Sequence, residues 1–311
     1  MGVDRPDSCF ITGASGFFGR RVVAALSTAH PAARLRVLVH RRPVALDAPN
    51  IETHAGSLDD LAGLLRGLRG VDVVVHLAAA THASRPETYF RVNAAGTEHL
   101  VEAARKAGVK RFIFISSRAI QPACGDYARS KWVAEQAVRS SGIPHVILRF
   151  SEIYGEGSSE GINALIALVR KVPIVPYPSG PVSLAPLFLD DAVTAVLRVI
   201  ERPQIRNRTY TLAGPRVHDV REIVRIVSDA FALRRVRVPI PLGLLSLAAR
   251  VSGMAGLPLI RPDQFSRLRC EKEHDIEAAK LDLGFSPIPF DEGIRRMRAA
   301  SGKRAASPAA V

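Results

Sequence analysis

The stretch that decides the fold is Cys9-Phe10-Ile11-Thr12-Gly13-Ala14-Ser15-Gly16-Phe17-Phe18-Gly19-Arg20, in which a short apolar run ends in three glycines. The chain then continues as a helix-like segment, so the stretch predicts a strand, a tight turn and a helix. We expect Gly13 to take a positive φ, Gly16 to let backbone amides approach a phosphate group, and Gly19 to let the helix pack closely on the strand. The helix N-terminus would then face the anion. The predicted contacts at this turn are Gly13, Ser15, Gly16, Phe17, Phe18 and Gly19.

The rest of the first half alternates between strand-like and helix-like segments. Strands are predicted at 35–39, 71–77, 111–115 and 145–149, and helices at 58–68, 87–107 and 127–140. The strands are nearly continuous runs of Val, Ile and Leu, which is typical of a parallel sheet covered on both faces. The predicted fold class is therefore α/β, with a doubly wound parallel sheet of the Rossmann type.

This alternation is lost after Tyr154. We predict that residues 1–180 form a dinucleotide-binding domain to which 186–214 return, that 215–300 form a smaller substrate-binding cap, and that 301–311 are a flexible tail. A proline-rich connection is expected at 173–181. The apolar stretch 239–262 contains Arg250 and several prolines, so we expect helix and loop in the cap and no stable membrane insertion.

Composition indicates a globular protein with a strong positive charge. Apolar residues make up 47% of the 311 residues, and the formal net charge is +14. The arginines are scattered along helix-like segments without interleaved aromatic residues, which disfavours a nucleic-acid partner. Diffuse positive charge instead favours attraction of an anionic cofactor or a small anionic substrate.

The three cysteines predict reduced thiols. Cys9, Cys124 and Cys270 are odd in number and have no paired spacing, so we expect neither a disulfide framework nor a thiolate metal site. No metal site of any kind is predicted. Residues 1–7 contain two aspartates and no apolar run, which is unlike a signal peptide and favours a cytoplasmic location.

The candidate chemistry lies between residues 115 and 131. Tyr127 and Lys131 are four residues apart and therefore share one helix face. A free tyrosine has a pKa near about 10, and a neighbouring ammonium would favour its phenolate form, which makes Tyr127 a candidate acid/base. Ser117 ends a predicted strand and is expected to donate a hydrogen bond to the same reacting oxygen. The three residues predict a site that interconverts an alcohol and a ketone.

In combination these residues resemble the extended short-chain dehydrogenase/reductases, also called the NAD-dependent epimerase/dehydratase family. The resemblance covers roughly Ser8 to Arg298. It is carried by the segments 12–19, His76-Leu77-Ala78-Ala79, Asn93-Ala94-Ala95-Gly96-Thr97, Phe114-Ile115-Ser116-Ser117, Tyr127-Ala128-Arg129-Ser130-Lys131, Leu148-Arg149 with Tyr154-Gly155, and Leu283-Gly284-Phe285.

The resemblance implies roles for individual residues. Tyr127 would be the catalytic acid/base, Lys131 would hold the nicotinamide ribose and lower the tyrosine pKa, and Ser117, better than Ser116, would be the third member. Asn93 would have either a structural role or a cofactor contact. Further implied contacts are Leu77, Ala78 and Ala79 to the cofactor and Thr81, Arg118, Glu152 and Tyr154 to the substrate. Helices at 100–107 and 127–138 would pair in a homodimer.

The end of the second strand favours NADP over NAD. A carboxylate there suits the ribose hydroxyl of NAD, and arginine suits the phosphate of NADP. The chain has Val39-His40-Arg41-Arg42 and no carboxylate before Asp47, so His40 and Arg41 are the candidate contacts. Gly56-Ser57-Leu58 departs from the Gly-Asp-Leu that family members often carry near the adenine.

The substrate stays open among three hypotheses. A nucleotide-linked sugar, changed by an epimerase, dehydratase or reductase, is the leading one, and Arg267 and Arg269 are candidates to hold its diphosphate. Glu152 departs from the asparagine usual in such enzymes, since a carboxylate would repel a diphosphate. That residue and the apolar region 242–259 favour an NADPH-dependent ketone reductase, similar to hydroxysteroid dehydrogenases, with a bulkier apolar substrate. A noncatalytic dinucleotide sensor or assembly subunit would not need Ser117, Tyr127 and Lys131 together.

Overall fold

A computed structural model describes residues 6–41, 48–180, 182–244 and 262–306. Its strands are β1 (Ser8–Thr12), β2 (Arg34–Val39), β3 (Ile51–Ala55), β4 (Val73–His76), β5 (Arg111–Ser117), β6 (His145–Phe150), β7 (Ile153–Tyr154), β8 (Ile174–Ser179), β9 (Leu187–Phe188), β10 (Arg208–Leu212) and β11 (Val236–Pro241). Seven of them form one parallel sheet in the order β10-β6-β5-β4-β1-β2-β3. The predicted doubly wound parallel sheet is confirmed.

The helices cover the sheet and build the cap. They are α1 (Phe17–Ala29), α2 (Leu61–Gly67), α3 (Pro86–Tyr89), α4 (Gly96–Lys106), α5 (Asp126–Arg139), α6 (Ile162–Lys171), α7 (Leu189–Ile200), α8 (Val220–Ala230), α9 (Pro262–Arg269), α10 (Glu277–Leu283) and α11 (Phe290–Ala306). A π-helical turn, Phe90–Ala95, joins α3 to α4, and a 3₁₀ turn, Pro122–Cys124, precedes α5. The helix predicted over 87–107 therefore exists, with an internal change of hydrogen-bond register.

The sheet buries the apolar runs from which it was predicted. Every residue of β1 and β4 is buried, because helices cover both faces of these strands. The strand order reverses between β1 and β4, and open α/β sheets bind ligands in the crevice beyond the strand ends at such a point. β3 was not predicted, because Glu52, Thr53 and His54 make it a polar edge strand.

A second apolar core builds the cap. It combines Tyr154, Ile166 and Val175 with Val224 of α8 and Phe290 of α11. Helix α6 and strand β8 lie before the predicted domain boundary at residue 180, yet they pack in this second core. The proline-rich segment forms strand β8 instead of a connection. In contrast, α7, β10 and α10 pack on the sheet. The chain passes from sheet to cap and back.

The cysteine prediction is wrong for two of the three thiols. Cys124 and Cys270 form a disulfide across 146 residues, with their Cα atoms 5.2 Å apart. Sequence spacing could not show this pair, because only the folded cap brings α9 beside the loop that precedes α5. Cys9 is a buried free thiol whose pKa burial raises to about 12, so it is unreactive.

The apolar segment of the sequence falls largely outside the described residues. Residues 245–261 lie outside the described part, and so does most of the helix and loop predicted at 239–262. Residues 239–241 belong to strand β11 instead. In the described part of the chain, no helix combines the length and apolar composition needed to cross a bilayer. Part of the predicted tail is helical, since α11 continues to Ala306.

Candidate active site

The glycine turn is shaped as the sequence predicted. Gly13 has a φ of +74°, and a Cβ there would lie 2.5 Å from the amide nitrogen of Ala78. A Cβ on Gly19 would collide with the carbonyl oxygen of Gly13, so the first turn of α1 packs directly on the strand exit. Gly16 caps α1 without a side-chain hydrogen bond, and the first turn has no acidic residue. The turn therefore offers backbone amides and a positive helix end to an anion, and it fits a dinucleotide pyrophosphate.

A buried imidazole holds this turn in place. Thr97 donates its hydroxyl hydrogen to the Asn93 carbonyl (2.6 Å), so it must accept from Nε2 of His76 (2.9 Å). Nδ1 of His76 then accepts from the Thr12 hydroxyl (2.6 Å), which accepts in turn from the Ala78 amide (3.2 Å). Burial lowers the pKa of His76 to about 3, so the ring is neutral. His76 thus joins the ends of β1 and β4 on either side of the cofactor crevice.

Asn93 is a positioning residue. Its amide nitrogen donates to the Ala80 carbonyl (3.1 Å) and the Ser130 hydroxyl (3.0 Å), and its oxygen accepts from the Ala80 amide (2.7 Å). Both amide hydrogens are occupied, which favours the structural role over a cofactor contact. Asn93 connects the loop after β4 to helix α5. Leu77, Ala78 and Ala79, half-buried, begin that loop beside the glycine turn.

Ser117 and Tyr127 meet as expected at the carboxyl end of β5. Burial raises the pKa of Tyr127, and the charge of Arg267 and a hydrogen bond with Ser117 partly offset this effect. The Ser117 hydroxyl also accepts from the amide of Ala119 (3.1 Å). The phenol is therefore protonated at neutral pH, which is the state needed to donate a proton to a ketone oxygen.

Lys131 lies beneath the same strand. Its ammonium donates to the carbonyl of Ile115 (2.7 Å) and lies 4.0 Å from the ring centre of Phe114. Burial lowers the pKa of Lys131 to about 7, although Glu135 opposes that shift. Burial raises the pKa of Tyr127, and the groups that oppose this rise are Arg267 and Ser117; Lys131, which the resemblance implies in that role, is not among them.

The neighbouring serine has a different partner. Ser116 donates to Glu135 (2.7 Å), a fully buried carboxylate that also accepts two hydrogen bonds from Arg149 (3.0 and 2.7 Å). Successive strand residues point to opposite faces, so Ser116 turns toward this ion pair and Ser117 toward the candidate site. This placement favours Ser117 as the site residue.

Arg267 brings the cap onto Tyr127, the candidate catalytic tyrosine. Its guanidinium carbon lies 4.7 Å from the ring centre of Tyr127, and it donates to the carbonyl of the exposed Thr81 (3.2 Å). Cys270 contacts the carbonyl of Arg267 (3.4 Å) and carries the disulfide to Cys124. The sequence analysis proposed Arg267 as a diphosphate ligand and missed this contact, because no local pattern links residue 267 to residue 127.

Glu152 belongs to a charge cluster that no motif indicated. It pairs with the buried Arg118 (3.1 Å) and with Lys272 from the cap (3.2 Å). Burial raises the pKa of Glu152, but the two cations outweigh it and hold the pKa at about 2. The predicted substrate residues Arg118 and Glu152 therefore bind each other.

The remaining predicted contacts lie in different surroundings. Tyr154, a predicted substrate contact, is fully buried in the cap core, where its hydroxyl donates to the carbonyl of Phe290 (3.3 Å). His40 and Arg41 are both exposed just beyond β2. Arg42 and Asp47 lie outside the described residues.

A glycine turn at the switch point of a doubly wound sheet, facing a Ser-Tyr-Lys set, defines an NAD(P)-dependent oxidoreductase of the extended short-chain dehydrogenase/reductase type. Residues 9–213 match the model of the NAD dependent epimerase/dehydratase family. The chain belongs to this family, and the resemblance noted from its motifs is confirmed.

Known relatives within the family differ in chemistry. A ceramide reductase of Caulobacter vibrioides is 34% identical over 83% of this chain and 81% of its own length. A UDP-glucose 4-epimerase of Vibrio cholerae is 27% identical over 91% of each chain. The structure of a dTDP-glucose 4,6-dehydratase from Streptomyces venezuelae, with NAD and TYD bound, superposes with a TM-score of 0.76 at 22% identity, covering 96% of this chain and 98% of that one, which shows a shared fold.

Proposed function

We propose that this protein is an NADPH-dependent ketone reductase whose substrate carries a bulky, apolar, lipid-like group. The observation that carries the proposal is the cluster of Arg118, Glu152 and Lys272, in which both cations are engaged by a carboxylate of the same chain. A sugar diphosphate approaching this place would meet Glu152 where sugar-nucleotide members usually have an asparagine. The 34% identity to a ceramide reductase supports the same substrate class.

Each residue of the candidate site has a separate role in the proposed reduction. The nicotinamide, when bound, supplies the hydride that the carbonyl carbon accepts. Tyr127 donates its phenolic proton to the carbonyl oxygen, and Ser117 holds that oxygen by a hydrogen bond. Lys131 would bind the nicotinamide ribose from beneath the strand, and the amides at the start of α1 would bind the pyrophosphate. Arg267 stabilises negative charge that develops on the phenol.

The test of function uses two substrate classes in parallel. The purified protein is mixed with NADPH and either a ceramide-type lipid ketone in micelles or a panel of UDP- and dTDP-sugars, and products are identified by mass spectrometry. We expect the lipid ketone to be reduced. Tyr127→Phe should lower kcat by about 10²- to 10⁴-fold while leaving NADPH binding unchanged. NADPH binding without turnover of either class, unaffected by Tyr127→Phe, would favour the noncatalytic sensor.

A nucleotide-linked sugar is the second candidate. The 27% identity to a UDP-glucose 4-epimerase over 91% of each chain favours it. Turnover of a UDP- or dTDP-sugar, with no reduction of the lipid ketone, would replace the first proposal with this one.

The preference for NADP over NAD rests on Arg41 and His40. Arg41 is exposed beyond β2, close to where the adenosine ribose of a dinucleotide would lie in this fold. Arg41→Ala should weaken NADPH binding about tenfold and leave NADH binding unchanged. Arg34→Ala, an exposed arginine at the opposite end of β2, is the matched control. Tighter binding of NADH than NADPH by the unaltered protein would contradict the preference.

We also infer a homodimer formed by α4 and α5. Trp132 of α5 is 45% exposed, which is unusual for a tryptophan and suits an interface. Sedimentation equilibrium should give a dimer that Trp132→Ala weakens, and a monomer at all concentrations would exclude it. The cytoplasmic location stays a prediction. The Cys124–Cys270 disulfide stands against it, since reducing compartments keep thiols reduced.

A further inference from the structure

The two-stranded sheet of the cap has one face made of apolar side chains alone. β8 and β11 run parallel, and Ile174 pairs with Val236, Pro176 with Val238, and Pro178 with Ile240. Paired residues of neighbouring strands lie on the same face of a sheet. Val175 and Tyr177, which alternate with the β8 residues, are buried against the cap core, so the other set faces outward. We call this outward set the cap sheet face: Ile174, Pro176, Pro178, Val236, Val238 and Ile240.

The cap sheet face is open to solvent. Ile174 is 57% exposed, Val236 62% and Val238 38%, and Leu244, just after β11, is 59% exposed. Single exposed apolar residues are ordinary, but a contiguous group of them marks an interaction surface. Ile174, Val236 and Val238 belong to two adjacent, paired strands, and Leu244 follows the second of them.

Basic residues gather at one end of this face. Arg170 and Lys171 end helix α6, two residues before β8, and Arg234 and Arg235 immediately precede β11. Since the strands are parallel, both pairs lie near the same end of the sheet. Arg170 lies over the ring of Phe231 (4.7 Å), and Arg235 donates to backbone carbonyls. Within the described residues, no carboxylate forms an ion pair with any of these four, so the positive charge is not neutralised.

A small cleft on the opposite face of the same two strands is lined by further arginines, since Tyr177, Arg237 and Pro239 alternate with the residues of the cap sheet face. It has a volume of about 390 Å³ and is lined by Tyr177, Arg221, Arg235, Arg237 and Pro239, with no acidic residue. The larger cleft between α8 and α11 is different, because most of its arginines pair with carboxylates, such as Arg225 with Asp229 (3.3 Å) and Arg295 with Asp291 (2.9 Å). Arg298 donates to the carbonyl of Ala230 (2.6 Å). Arginines without a carboxylate partner are therefore concentrated around the two-stranded sheet of the cap.

We propose that the cap sheet face docks on the surface of an anionic lipid bilayer. The apolar side chains enter the boundary between headgroups and acyl chains, and the flanking lysine and arginines bind anionic headgroups. This is peripheral binding and requires no membrane-spanning helix. The proposed bilayer docking does not depend on the identity of the substrate. For a lipid-like ketone in the bilayer, docking would place the cap beside the substrate.

Co-sedimentation of the full chain with vesicles tests the proposal. We expect binding to vesicles of phosphatidylcholine mixed with phosphatidylglycerol, little binding to phosphatidylcholine alone, and loss of binding in high salt. Lys171→Glu with Arg234→Glu should weaken binding about tenfold or more, and Ile174→Ser with Val236→Ser should weaken it through lost apolar contact. Arg66→Glu with Arg69→Glu, which changes the net charge equally on α2 and the loop after it, is the matched control.

Several outcomes would overturn the proposal. Equal binding to both kinds of vesicle, or equal weakening by the control pair, would mean that the cap sheet face is not the contact. A dimer that Ile174→Ser with Val236→Ser dissociates, in the absence of vesicle binding, would make a second copy of the chain its occupant. Circular dichroism and NADPH titration verify that each variant is folded, and these readouts do not depend on lipid.

Discussion

In the half of the molecule built on the large sheet, buried polar side chains satisfy one another. His76 is bound between Thr12 and Thr97, and Glu135 is held by Ser116 and Arg149. In the cap, two long basic side chains instead reach across to the sheet half. Arg267 lies over Tyr127, and Lys272 pairs with Glu152.

The two regions therefore contribute differently to the candidate site: the sheet half sets the positions of its side chains, and the cap supplies charge near them. The sheet half fixes where Ser117, Tyr127 and Lys131 stand, because all three are attached to β5 and α5 and are supported by filled hydrogen-bond networks. The cap contributes the charge that adjusts the tyrosine, through Arg267 and the disulfide that anchors its helix. Changes in the sheet half should therefore cost stability, and changes in the cap should change the pH dependence.

The largest expected effect is a loss of stability when a buried ion pair of the sheet half is broken. Glu135→Leu leaves Arg149 without its buried partner, and we expect the free energy of unfolding to fall by about 3–5 kcal/mol, measured by urea denaturation. Adding Arg149→Met removes the unpaired charge and should restore part of the loss. If the two substitutions are simply additive, Glu135 and Arg149 do not act as a pair.

A smaller effect is expected at the covalent link between the two regions. Cys270→Ser should lower the free energy of unfolding by about 2–4 kcal/mol, and Cys124→Ser should do the same, because both remove the same bond. Reducing agent should abolish the difference between these variants and the unaltered protein. Thiol counting on the unfolded, unreduced protein should find Cys9 alone reactive, and three reactive thiols would contradict the disulfide.

The smallest expected effect is a shift in the pH dependence of activity when Arg267 is removed. Ketone reduction needs a protonated Tyr127, so activity is lost as pH rises through the pKa of that phenol. Arg267 lowers this pKa, and Arg267→Ala should therefore move the alkaline limb of the kcat profile to higher pH. Arg269→Ala, an exposed neighbour on α9, is the control. An unchanged limb would show that Arg267 has no influence on the tyrosine in solution.

The sequence predicted those features that depend on local patterns. The strands of the sheet, the glycine turn and the joint placement of Ser117 and Tyr127 follow from apolar runs and from spacing within a single strand, turn or helix. The candidate catalytic roles themselves await the substitutions described above.

The features that the sequence did not reveal depend on long-range packing. Cys124 with Cys270, Arg267 with Tyr127, and Lys272 with Glu152 each join positions more than a hundred residues apart, and no periodicity connects them. The surroundings of Tyr154 could not be predicted for the same reason, because Phe290, against which its ring packs, comes from the last helix. Strand β8 was missed because prolines usually oppose strands, and this one lies in a two-stranded sheet, where both strands are edges.

The path of the chain has a consequence for how the protein is made. Strand β10 completes the large sheet by pairing with β6, yet it is synthesised after α6 and β8 of the cap. While the chain leaves the ribosome, β6 is therefore an unpaired edge of apolar residues until residue 212 has emerged. Newly made chains interrupted between these points would be the most prone to aggregate, and cutting the gene at the middle of the cap would yield neither half as a folded unit.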